Sequence, residues 1–127
     1  MKYVHSFLVL LCFALPLSLM AQSSHVGDWQ TKIPAEDGTM LALKVSLSAD
    51  GTFAVDFGNN GTIEINGKYE VSDNQITIQD ISGPNSCTTG KGVYKLDVSE
   101  TTMTMTRISD GCEGRGGPDG VMAWTRS

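Results

Sequence analysis

Helical periodicity is missing from this chain, and so are most of the residues from which an active site is assembled. Only His5 and His25 occur in 127 residues. There is no G-x-S-x-G, and no Gly-rich phosphate loop follows a strand-like run. A nucleophile and its base have little to be built from, so the chain reads as non-enzymatic. Cysteine is scarce as well: Cys12, Cys87 and Cys112 contain no C-x-x-C. With one histidine beyond residue 21, no metal and no cofactor is expected. Basic residues number 9 against 14 acidic ones, a formal charge of −5. That balance argues against nucleic acid and anionic membranes, which call for a basic patch.

A long apolar run occurs once. Val4 to Met20 is interrupted only by His5, Ser6, Pro16 and Ser18, with Lys2 before it and Ala21 after it. A positive start, a short apolar core and a small residue at its end make residues 1–21 a secretory signal peptide. The run falls short of the roughly 20 uninterrupted residues that a span requires. Lipid attachment at Cys12 is disfavoured because bulky Leu11 precedes it. Cleavage after Ala21 leaves residues 22–127 as one domain, exported to the periplasm or secreted. Losing Lys2 leaves eight basic residues against 14 acidic, a charge of −6.

What is present is alternation. Leu41, Leu43, Val45 and Leu47 recur at every second position, as do Phe53, Val55 and Phe57. Ile63, Ile65, Tyr69 and Val71 follow, with Gly67 in an inward slot where a bend or bulge is expected. Ile76 and Ile78 come next, before the pattern slips at Asp80-Ile81. Tyr94, Leu96 and Val98 form a sixth inward face, Met103 and Met105 a seventh, and Val121 to Arg126 carries Trp124. With Gly27 to Ile33 at the front, this makes eight strands separated by turn residues. The fold class is all-β, an eight-stranded antiparallel up-and-down barrel or sandwich. Asp56, Glu64 and Glu70 read as a polar outer surface.

Connections after the second, fourth and sixth strands are tight, and those after the first, fifth and seventh are longer. In a meander all odd connections share one end, so one end is closed and the other is a mouth. The loops holding Cys87 and Cys112 both lie at that mouth, two strand passes apart. In an exported chain they are expected to form one disulfide across the open-end loops.

Gly27-Asp28-Trp29 is similar to the G-x-W signature of lipocalins and their calycin relatives. Arg126 stands on the last strand where that family places a basic residue. The resemblance implies that Arg126 covers Trp29 in a cation–π contact at the closed end, with Gly27 beside it. Gly67-x-Tyr69, Cys87, Tyr94 and Asp110-x-Cys112-x-x-Arg115 look like the small lipocalin-like domains of bacterial exported proteins. Such a barrel is expected to bind a small apolar or amphipathic, lipophilic molecule at its open end. Candidate ligand-binding residues are Phe53, Phe57, Tyr69, Tyr94, Met103, Arg107 and Arg115. Arg107, helped by Arg115, suits an anionic head group. Alternatively, Asp80, Arg107, Asp110 and Arg115 form a structural ion-pair cluster ordering the rim. Met103 and Met105 suit adaptable core filling better than Cu(I) ligation. Two other functions stay open: a protein-binding module, such as a secreted-protease inhibitor using the tail from Gln22 to Val26, and a structural envelope component.

Overall fold

A computed structural model describes residues 24–127. The expected signal segment, Cys12 and Gln22 lie outside the described residues. Eight strands follow in order: β1 (Gly27–Pro34), β2 (Met40–Leu47), β3 (Thr52–Phe57), β4 (Ile65–Ser72), β5 (Gln75–Ser82), β6 (Gly92–Val98), β7 (Thr102–Asp110) and β8 (Val121–Arg126). Each pairs antiparallel with its sequence neighbours, and β8 returns to β1, closing the barrel. The period-2 apolar residues dictate this outcome. They give each strand one face that must leave water, and only closure hides all those faces without leaving a free edge. The fully buried side chains Trp29, Ile76, Tyr94 and Met103 come from four different strands.

Even-numbered connections are short; Asp73 and Asn74 alone, both in left-handed conformation, join β4 to β5. The odd-numbered ones are longer, and all lie at the mouth. At the closed end the Arg126 guanidinium stands 4.1 Å above the Trp29 ring. Its nitrogens donate to the carbonyls of Ser24, Val26 and Glu100. Trp29 Nε1 donates to the His25 carbonyl at 2.9 Å. Ser24 to Val26 are therefore strapped across the floor of the barrel, and Gly27 leaves the space that Arg126 Nη1 occupies.

Three details differ from the sequence pattern, and the bulge expected at Gly67 is present. Ile63 and Glu64 stand outside β4, because Glu64 turns its carboxylate back to accept from the Phe57 amide at 2.7 Å. Asp56 is no surface residue: it is buried, accepting from the amides of Asn60 and Gly61 at 3.0 and 2.8 Å and so shaping the 58–64 loop. The slip at Asp80-Ile81 is a bulge, since Gly67 pairs with Asp80 while Asn66 pairs with Ser82. A second bulge leaves Ile108 unpaired between Arg107 and Ser109. Each extra residue turns outward, keeping Asp80 and Asp110 directed inward.

Candidate functional site

The barrel is not filled by its own side chains. It holds a cavity of about 940 Å³ that reaches from Leu47 and Trp124 to the mouth residues Asn85, Glu113 and Pro118. Its walls are aliphatic and thioether side chains, among them Leu43, Val45, Ile76, Ile78, Met103 and Met105. Gly67 helps to keep the lumen open. A Cβ there would fall well inside van der Waals contact with the Phe53 ring and the Gln79 carbonyl, so Phe53 packs into the slot the missing side chain vacates.

Polar chemistry gathers at the rim. Arg115 makes a two-pronged contact with Asp110, from Nε and Nη2 at 2.8 Å each, and reaches Asp80 through Nη1 at 3.2 Å. Nη2 also donates to the Gly90 carbonyl at 2.6 Å. Backbone amides add to these contacts: the Cys87 amide donates to the other oxygen of Asp80, and the Cys112 amide to Asp110 Oδ1 beside Arg115, both at 2.8 Å. Cys87 and Cys112 are joined, with Cα atoms 6.2 Å apart. Disulfide, ion pairs and amide contacts thus form one clasp between the 83–91 and 111–120 loops. Gly90 and Gly111 permit it, because their backbones meet where a Cβ would collide.

Tyr94 belongs to the same clasp. Its hydroxyl donates to Asp110 and faces the Arg115 carbonyl, while Gly116 lies against its phenol oxygen. Burial, reinforced by the Asp110 carboxylate, pushes its pKa up to about 12. Burial works against ionised Asp110, but bonds from Arg115, Tyr94 and the Cys112 amide hold its pKa below the ordinary carboxylate range. Burial likewise opposes charged Arg115, and Asp110 more than compensates, raising its pKa.

The expected four-membered ion-pair cluster is in fact three-membered. Arg107 has no carboxylate within 4 Å among the described residues. Its Nη2 donates to the carbonyls of Arg115 at 2.6 Å and Gly117 at 3.0 Å, and its buried Nε has no partner.

Of the expected ligand-binding residues, Phe53, Phe57, Met103, Arg107 and Arg115 line the cavity, as do Cys87 and Cys112. Tyr69 and Tyr94 do not. The Tyr69 hydroxyl donates to the Ser48 carbonyl and His25 stands edge-on to its ring, which makes it part of the floor. Trp124 lines the cavity with a buried indole N–H that has no partner. Nothing in the sequence marks that donor, because its lack of an acceptor exists only once β7 and β8 are side by side. No known protein family, curated protein or solved structure gives a significant match to this chain.

Proposed function

We propose that this protein is an exported, non-enzymatic barrel of lipocalin-like, calycin type that holds a small apolar or amphipathic molecule at its open end. The observation that carries the reading is the cavity of about 940 Å³, apolar along its walls and polar at one rim. Ligand sites commonly have this composition and a volume of roughly 300–1,000 Å³. The Cys87–Cys112 bond supports an oxidising location, which agrees with the signal-like residues 1–21. Arg126 over Trp29 supports the kinship with lipocalin-type barrels.

The side chains available support retention without catalysis. Asp80, Asp110 and Arg115 satisfy one another and are held by backbone amides, so none is free to move a proton. Native mass spectrometry on protein purified from its own exported compartment tests the reading. A discrete lipophilic adduct, lost on delipidation and restored by the extract, is the expected result. Oxidised protein that carries no adduct and takes up none of the extract would sink it.

A further inference from the structure

The large apolar side chains left in water are not spread evenly over the barrel. Among the described residues they are Met40, Ile63, Val71, Ile81, Ile108 and Val121. Val71 lies beside the closed-end turn after β4, and the other five are at the mouth end, from 41% exposed at Ile63 to 58% at Met40. Met40 opens β2, Ile63 belongs to the loop between β3 and β4, Ile81 stands near the end of β5, and Ile108 and Val121 flank the 111–120 loop. Since the strands follow one another around the barrel, these positions encircle the opening.

The barrel itself does not call for them. Ile81 and Ile108 are the extra residues at the two bulges. A bulge requires one more residue and not an apolar one, and the outward neighbours of Ile108 on β7, Thr104 and Thr106, carry hydroxyls. Single exposed apolar residues are ordinary, but a concentration of them around an opening marks a contact. Its shape narrows the partner. A peptide or helix would cover one side of the ring, whereas a flat apolar phase lying across the mouth meets all of it. Charge narrows the partner further: among the exposed charged residues of the mouth loops, Glu36, Asp37, Glu113 and Asp119 outnumber Lys91. Anionic head groups would be repelled.

Resting on the carrier reading above, we infer that the mouth docks on a lipid surface whose head groups carry no net charge. The five side chains enter the boundary between head groups and acyl chains, for which a depth of about 5–10 Å is enough. The cavity opens inside the ring, where Asn85, Glu113 and Pro118 line it. A lipophilic guest therefore passes between bilayer and lumen without crossing bulk water.

Flotation of the intact protein with phosphatidylcholine vesicles tests this. The protein is expected to float with them at low and high salt alike, and less well as phosphatidylglycerol is added. Ile81→Ser combined with Ile108→Ser should weaken partitioning about tenfold. Val71→Ser, at the other end, should leave it unchanged. All three positions are exposed, and melting temperatures check that the variants keep the fold. No flotation, flotation that requires phosphatidylglycerol, or an equal loss from Val71→Ser overturns the inference. So does an oligomer in solution that does not float and falls apart in the double variant, since a second copy would then cover the ring. The vesicle readout needs no guest. A lipophilic adduct without flotation leaves the carrier reading standing alone, and flotation by protein that takes up no lipid sinks that reading instead.

Discussion

Arg115 and Tyr94 show how two side chains can make a rim out of loops that carry no ladder. Arg115 is 14% exposed and lies between Asp80 and Asp110, which are almost fully buried. Carboxylates in such a place persist only when paired and hydrogen-bonded. Tyr94 supplies one of those bonds as a neutral phenol. Its raised pKa means that its contribution is complete below the ordinary tyrosine range and fades as pH rises from about 10 through about 12. In chemical denaturation, Tyr94→Phe should be less stable than the parent by about 1–3 kcal/mol at neutral pH. The gap should narrow across that alkaline window; a constant gap would contradict the assignment. Much of the rim was legible in the sequence: Cys87 and Cys112 as a pair, and Asp80, Asp110 and Arg115 as a cluster. The separation of Arg107 from that cluster was not. Two arginines eight residues apart look equivalent on paper, and only the fold of the 111–120 loop gives one of them carboxylates and the other carbonyls.

Strands and their irregularities decide what those residues face. The alternation in β2, β3, β6 and β7 is plain enough in the sequence to fix which side chains point inward. The bulge at Ile108 is harder to read than the one that Gly67 marks, since one extra residue looks like a failing pattern when it is a displaced one. Without the bulge at Ile81, Asp80 and Gly67 would fall out of register, and with it the chain keeps a carboxylate inward at the mouth. Gly67 has a second task, receiving the Phe53 ring. Gly67→Ala should therefore destabilise the barrel by about 1–3 kcal/mol, as overpacking does, measured by thermal melting. Combining it with Phe53→Leu should recover only part of the loss, because the Gln79 carbonyl also bars the methyl group. Full recovery would mean that the backbone contact is unimportant. Asp56 and Glu64 were misleading for a related reason: each sits at an outward position, but Asp56 turns its oxygens to the Asn60 and Gly61 amides of the 58–64 loop and Glu64 turns back to the Phe57 amide at the end of β3. Alternation reports which face a side chain leaves from, and says nothing of where it bends.

For the whole molecule, the closed up-and-down barrel follows from strand count, pattern and loop lengths, whereas the cavity inside it does not. Phe53, Phe57 and the methionines have enough volume to suggest a filled core, and the outcome depends on each ring packing along the wall. The disulfide encloses about 25 residues and is worth roughly 3 kcal/mol by loop entropy. Reduction should lower the melting temperature, and hydrogen exchange should accelerate in residues 83–91 and 111–120 while β1 and β2 stay protected; uniform acceleration would show that the clasp governs the entire barrel. Two parts of the wall lose their ladder towards the mouth. Between β5 and β6 it stops at Ile78 opposite Gly92, but there the disulfide and Arg115 take over. Between β1 and β8 it comprises Trp29 with Arg126 and Gln30 with Thr125, both near the floor. Above them Ile33, Pro34 and Met122 line the lumen, and no comparable clasp joins the two strands among the described residues. The seam between β1 and β8 is thus the least laced part of the wall, held by two residue pairs at its foot.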